Sequence, residues 1–213
     1  MLVYNMSQIL QLNFREFDLN TLYKYASIAV IGECGSWVAR SIIEHLATTV
    51  SSGIIIAPTD KQSKFYESFF PKTHILYEYG EFVFQKILDS QAEDITDVHT
   101  RYQNNKSFVL IDGLINSHTV RPLLHDNALM EIIFNGKCYE FTYILTLQPS
   151  VRLSREMTGS FDYIFLLASD SPVVQKQIYE LYGGWLFESF ESFMQVFTQL
   201  TKSYGVVIVI IHV

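Results

Sequence analysis

Five short apolar runs, separated by longer segments of mixed polarity, constrain the fold of this chain more than any other feature of its sequence. SIAVI (Ser27 to Ile31), GIIIA (Gly53 to Ala57), FVLI after Ser107, Phe141 to Leu145 and Tyr163 to Leu167 each have the length of a strand. The segments between them carry apolar residues three and four apart, as an inner helix face requires. Val38, Ile42, Ile43 and Leu46 form one such stripe, and Val174, Ile178 and Leu181 another. This alternation predicts an α/β fold, an open sheet with helices on both faces.

The punctuation between the runs predicts the remaining elements. A helix is expected from about Val38 to Thr48. PTDK then makes a turn, with Thr59 or Asp60 capping a helix that carries Phe65, Tyr66 and Phe69. A short strand over Thr73 to Leu76, a helix over Glu81 to Leu88 and a polar connector through Asn105 follow. The crossover containing Ala128 to Phe134 leads to the strand at Phe141. Ser171 and Pro172 have the chemistry of a helix cap and first turn, and Gly183 with Gly184 closes that helix. Phe190, Phe193, Met194, Phe197 and Leu200 share one apolar helical face and are read as core. VVIVII, Val206 to Ile211, is read as a buried strand. One domain is expected over residues 1–213, with residues 1–26 as an edge strand or extended lead-in.

Composition removes several classes of function. With 49% apolar residues, 16 Phe and 13 Tyr in 213 residues, the chain has the apolar surface for a substantial core and is not a disordered polypeptide. The 22 acidic against 15 basic side chains, a formal charge of -7, weaken a case for broad nonspecific DNA binding. Cys34 and Cys138 are too few for a disulfide framework or a four-cysteine metal cluster, which suits a reducing compartment. The start lacks a secretion signal and no run reaches the roughly 20 residues of a membrane span, so an intracellular, non-secreted protein without membrane insertion is expected. His118 and His125 have no matched cysteine pair, there is no HExxH, and no G-x-S-x-G elbow accompanies the serines.

The most informative local segment is IGECGSWVARSII, Ile31 to Ile43, which runs from a strand into a helix. A phosphate-binding loop needs successive backbone N–H groups, a permissive glycine, a lysine toward the terminal phosphates and a hydroxyl for magnesium. Gly32 and Gly35 retain the flexibility. Counted from Gly32, however, Trp37, Val38 and Ala39 stand where glycine, lysine and serine or threonine belong. Valine cannot neutralise phosphate and alanine cannot coordinate magnesium. Arg40 supplies charge two positions beyond the lysine place and projects in a different direction. Cys34 lacks a base at fixed spacing and is read as structural. Trp37 either fills the phosphate space or packs against a partner, with filling favoured because it replaces the residue whose missing side chain creates that space.

A second acidic feature stands at the end of FVLIDG. Nucleotide chemistry on this kind of fold uses one carboxylate to position magnesium and another to orient water. Here Asp112 is present, but Gly113 follows it, so one acid remains for two tasks.

With these segments in order, the chain resembles the poxvirus-type DNA-packaging ATPases of large double-stranded DNA viruses, within the FtsK/HerA-like P-loop group. The matching pieces are IGECGS, IIIAPTDK at Ile54 to Lys61, FFP at Phe69 to Pro71, FVLIDG, Ile132 to Gln148 and FDYIFLL at Phe161 to Leu167. The resemblance implies a P-loop NTPase-like, mostly parallel sheet, use of ATP and magnesium, a ring-like homo-oligomer and a role in driving viral DNA into a capsid. Carried onto this chain, it places the phosphate loop at Gly32, Gly35, Ser36, Trp37, Val38 and Ala39, and the metal-side acid at Asp112. It places the polar strand end that senses phosphate or positions water at Thr146 and Gln148. Thr158 and Ser160 stand where an arginine and an asparagine are expected. Arg152 and Arg155 either replace a lost trans-acting arginine or are plain surface charges.

Several distinct catalytic roles are thus replaced together, and catalysis depends on the joint placement of all of them. The expected protein is a catalytically inactive, packaging-ATPase-like viral component of virion assembly, in the capsid or in a packaging complex. It would need no cofactor, and it would be found in the virion or at the host-cell site of assembly with viral assembly or capsid proteins as partners. Two alternatives remain open. One is a divergent active ATPase that uses ATP and magnesium to package DNA, with Arg40, Asp112, Thr146 and Gln148 as residual site residues; the other is a nonhydrolysing nucleotide sensor.

Overall fold

The apolar runs form strands whose neighbours are dictated by crossovers rather than by sequence order. In the computed structural model, residues 16–47, 52–79, 82–96, 107–113, 125–202 and 205–211 are described. The strands are β1 (Ser27–Ile31), β2 (Ser52–Ile56), β3 (Ile75–Leu76), β4 (Ser107–Ile111), β5 (Phe141–Leu147), β6 (Tyr163–Leu167) and β7 (Val206–Ile210). They make one sheet in the order β3-β2-β4-β5-β1-β6-β7. Every pairing is parallel except β6 with β7, where Phe165 opposes Ile208 in antiparallel register. The expected α/β architecture with helices on both faces is what the structure shows.

Side chains alternate between two cores, as the two-residue period of a strand demands. Ala29 and Ile31 of β1 face a layer built from Phe84, Ile87 and Leu88 of α2 (Val83–Thr96), Ile132 and Ile133 of α3 (Asn127–Asn135), and Phe193 and Phe197 of the last helix. Ile28 and Val30 face the opposite layer, where α1 (Gly35–Leu46) contributes Ala39, Ile42, Ile43 and Leu46. Each fully buried Ile or Val on these strands contributes about 1.5–3 kcal/mol relative to exposure. Burial on both faces explains why the central strands read as continuous apolar runs rather than alternating ones.

Several boundaries differ from the sequence expectation, each for a local reason. Helix α1 begins at Gly35, three residues before the apolar stripe starts, and its first turn is anchored by the Ser36 hydroxyl on Asp112, a long-range contact that periodicity does not record. The helix expected around Phe65 to Phe69 is absent. Lys64 adopts a left-handed conformation, and the Asp60 carboxylate takes the backbone N–H groups of Phe65 and Tyr66 at 2.8 and 3.1 Å, leaving short 3-10 turns at Pro58–Asp60 and Tyr66–Ser68. Residues 72–74 likewise form a 3-10 turn ahead of the two-residue β3. Helix α2 runs on to Thr96 through residues read as connector, and residues 97–106 lie outside the described set. Of the 1–26 lead-in, residues 1–15 also lie outside it, and a 3-10 turn occupies Leu19–Thr21.

The C-terminal half follows its capping signals closely. Ser154 caps α4 (Arg155–Gly159), and Ser171 with Pro172 at N1 opens α5 (Pro172–Ile178). Instead of ending at the glycine pair, α5 passes into a π-turn, Tyr179–Gly183. Helix α6 (Phe190–Thr201) buries Phe193 and Phe197, whereas Leu200, expected in the core, is exposed. Strand β7 is also not the buried strand expected: it lies at the sheet margin beside β6, and Val209 is its one fully buried residue.

Candidate functional site

Strands β1, β4 and β5 are neighbours or next neighbours in a parallel array, so their carboxyl ends open on the same side of the sheet. In open α/β sheets ligands bind in the crevice beyond those ends. Here the crevice is a cleft of about 550 Å³ lined by Gly32, Glu33, Gly35 and Ser36 after β1, by Asp112 and Gly113 after β4, and by Thr146 and Gln148 of β5 and its end. Thr59, from the turn after β2, completes one wall, and Val174 at the start of α5 another. A second groove, of about 860 Å³, beside α6 has mixed polar and apolar lining and none of these residues.

Asp112 is the centre of the cleft chemistry. It is nearly buried, and its backbone N–H extends the β4–β2 ladder by donating to Ile56 O at 2.8 Å. Three hydroxyls donate to its carboxylate. Ser36 Oγ and Tyr66 OH each reach Oδ2 at 2.8 Å, and Thr146 Oγ1 donates to Oδ1. The Gly113 N–H in turn donates to Thr146 Oγ1 at 3.2 Å. Hydrogen bonds to a carboxylate are stronger than neutral ones, so this arrangement ties three separate segments to the residue at the end of β4. Burial, with the Asp112 charge adding to it, holds the Tyr66 phenol far above its ordinary pKa, so it remains a donor throughout the usual pH range.

The structure sorts the residues proposed from sequence into two groups. Gly32, Gly35, Ser36, Asp112, Thr146 and Gln148 meet in the cleft. Trp37, Val38, Ala39 and Arg40 do not. Trp37 does not fill the phosphate space: it is 62% exposed, with its ring edge-on to Phe65 at 4.8 Å on the outer side of the helix. Val38 is half-buried against the core, and Ala39 is fully buried on the inner face of α1. Arg40 pairs with Glu44 at 2.8 Å and lies over the Phe69 ring, turned away from the cleft. Thr158 and Ser160 bond locally to the backbone around α4, and Arg152 and Arg155 are exposed. Cys34 is exposed at the start of α1 and makes no side-chain cap bond.

The hydroxyl that faces the acid is therefore Ser36 and not the residue at position 39. A G-x-x-x-x-G-K-S/T loop places six residues between its first glycine and its hydroxyl residue. Gly32 and Ser36 have three between them, so the turn is three residues short. Tyr66 and Asp60 were missed as site residues for a different reason. Phe65, Tyr66 and Phe69 have helical spacing and read as core, but a buried tyrosine needs a partner for its hydroxyl, and that requirement was the available signal.

ATP and magnesium are the groups that this fold implies, and the two halves of the site fit them differently. On the metal side, a serine hydroxyl and a carboxylate stand together, as magnesium sites beside phosphates use them. On the phosphate side, no Lys, Arg or His occurs among the described lining residues, and Gly32 and Ser36 are three residues closer than the first glycine and the hydroxyl of a G-x-x-x-x-G-K-S/T loop. The residues described here do not fit a triphosphate held by this chain alone. Among the described residues there is also no group of three or more His, Cys, Asp or Glu that could hold a metal ion, and no helix long and apolar enough to cross a membrane.

Comparison with known proteins is consistent with this architecture. No family model matches the chain. It is 31% identical over 202 residues to the uncharacterised protein L437 of Acanthamoeba polyphaga mimivirus, covering 91% of this chain and 70% of that protein. It is 26% identical over 196 residues to the uncharacterised protein 075L of Invertebrate iridescent virus 6, covering 91% and 73%. Among solved structures, the genome packaging NTPase B204 of Sulfolobus turreted icosahedral virus 2, in complex with AMP, superposes with a TM-score of 0.59 at 17% identity over 89% of this chain and 94% of that one. At that identity the match speaks for the fold. The chain belongs to the viral protein family of mimivirus L437, and it has the α/β P-loop NTPase-like fold seen in the genome packaging NTPase B204.

Proposed function

We propose that this packaging-ATPase-like viral protein works in virion assembly, within the capsid or a packaging complex, without hydrolysing ATP itself. The observation that carries this reading is the three-residue turn Gly32–Cys34, which brings Ser36 directly onto Asp112 and leaves the phosphate side of the cleft without a cation among its described residues. Gly113 replaces the water-orienting acid, so the lysine and the second carboxylate are both missing. Phosphoryl transfer is catalysed almost entirely by positioning and charge stabilisation, and those are the functions lost here. Its partners in this reading are viral assembly or capsid proteins, with a homo-oligomer as one arrangement, and its place is the virion or the host-cell site of assembly.

A second reading has its own support. Ser36, Asp112 and Thr146 preserve a metal-side arrangement, and the fold matches a protein described as a genome packaging NTPase. A divergent ATPase that packages DNA with ATP and magnesium would then need another subunit to supply the missing cation. A nonhydrolysing nucleotide sensor would need binding alone.

Calorimetric titration of the folded protein with ATP and magnesium separates these readings. The assembly reading expects no binding and no phosphate release. Binding abolished by Asp112→Ala, without turnover, would favour the sensor. Magnesium-dependent turnover that Asp112→Ala abolishes would favour the ATPase and overturn the proposal. Detection of the chain in purified virions tests its proposed location.

A further inference from the structure

Asp60 is 5% exposed and forms no salt bridge among the described residues; its carboxylate is held by the backbone N–H groups of Phe65 and Tyr66 and by the Ser63 hydroxyl. That arrangement fixes where the Tyr66 ring enters the protein. The ring is fully buried, and its hydroxyl meets Oδ2 of Asp112, the same oxygen that accepts from Ser36. With Thr146 on Oδ1, both oxygens are engaged by the protein's own donors. Oδ2 accepts two hydroxyls, so a divalent cation that uses this oxygen must displace Ser36 or Tyr66.

We propose that Tyr66 is a positioning residue that, together with Ser36, locks Oδ2 of Asp112 onto the protein and away from divalent cations. This deepens the reading of the cleft as a site descended from nucleotide chemistry and rests on it. The lock has an external counterpart. Trp37 directly follows Ser36, Phe65 directly precedes Tyr66, and the two aromatic rings touch on the outer surface at 4.8 Å. The two donors to Oδ2 thus belong to segments that also meet outside, so loosening one contact disturbs the other. Trp37 is therefore a spectroscopic reporter of the lock.

The test uses Mn²⁺ alone as probe, on full-length protein carrying Trp185→Phe so that Trp37 is the sole tryptophan. Mn²⁺ binding is read by titration and by quenching of Trp37. The expected result is no saturable binding in the parent. Tyr66→Phe, which removes the hydroxyl and keeps the ring, is expected to bind Mn²⁺ saturably, about tenfold or more tighter than the detection limit that bounds the parent, and to shift Trp37 emission, reflecting loss of a charge-assisted hydrogen bond. Adding Asp112→Asn to Tyr66→Phe should abolish that gain. Saturable micromolar binding to the parent overturns the lock even if the variant fails to fold. A folded Tyr66→Phe protein that binds no better than the parent also overturns it, while leaving the nonhydrolysing reading, decided by ATP turnover, untouched.

Discussion

Gly113 and Thr59 stand so close that a β-carbon on Gly113 would lie 2.2 Å from Thr59 Oγ1, and Gly113 itself is left-handed at φ +67°. An acidic side chain at position 113 would therefore need more than a change of residue. Its position has a backbone that an L residue rarely adopts and a neighbour in its space.

Gly113→Glu is accordingly expected to destabilise the fold rather than restore a water-orienting carboxylate. The backbone contribution is about 1–3 kcal/mol. Thr59→Ala in the same chain should recover the steric part and not the backbone part. Urea denaturation midpoints of the single and double variants measure both, and a Gly113→Glu protein as stable as the parent would contradict the geometry.

Asp112 accepts from three hydroxyls, so Asp112→Ala leaves Ser36, Tyr66 and Thr146 without an acceptor at once. The expected loss is about 3 kcal/mol, with a smaller loss for Asp112→Asn, which keeps one oxygen. Ser36→Ala removes one donor from a partly exposed position and should cost about 1 kcal/mol. Equilibrium unfolding of the three variants gives the order.

The shortened turn predicts which change could rebuild a phosphate site. Val38→Lys alone should leave ATP affinity unchanged, because residue 38 lies beyond the first turn of α1 and packs against the core. Three residues inserted between Cys34 and Ser36, completing G-x-x-x-x-G-K-S, should produce measurable binding by supplying a lysine on a loop of standard length. Calorimetry of the two variants distinguishes a length defect from a composition defect.

Alkaline pH should weaken the fold through two buried phenols. Burial pushes Tyr143 and Tyr182 from an ordinary value near 10 up to about 12. Between those values the folded state holds protons that the unfolded chain has released, so stability is fully present below about pH 10 and falls as pH rises toward 12. The contribution is on the order of 2 kcal/mol per group. Tyr182→Phe should flatten its share of the decline in urea midpoints taken at about pH 9 and pH 11.

Particular residues show how far the sequence could be read. Ser27 to Ile31, Ser107 to Ile111 and Tyr163 to Leu167 are strands at the expected positions because both their faces are buried, and apolar continuity records that directly. Ser171 and Pro172 signalled a helix start because capping is a local hydrogen bond. The Phe65 to Phe69 helix failed for a complementary reason. Helical spacing was present, but the Asp60 carboxylate captured the amides and Lys64 turned left-handed. Ser36 was assigned to a phosphate loop but not to the hydroxyl place, since counting from Gly32 assumes a loop of standard length.

What the sequence determined by itself was the layered α/β fold, the segments that end at the cleft, and the identities of Val38 and Gly113, because these follow from periodicity and residue identity along a local stretch. The tertiary structure decided that Ser36 and Tyr66 share one oxygen of Asp112, that Trp37 stands outside, and that Arg40 turns away. Those contacts join residues tens of positions apart through parallel crossovers, and their geometry depends on where each turn ends rather than on which residues it contains.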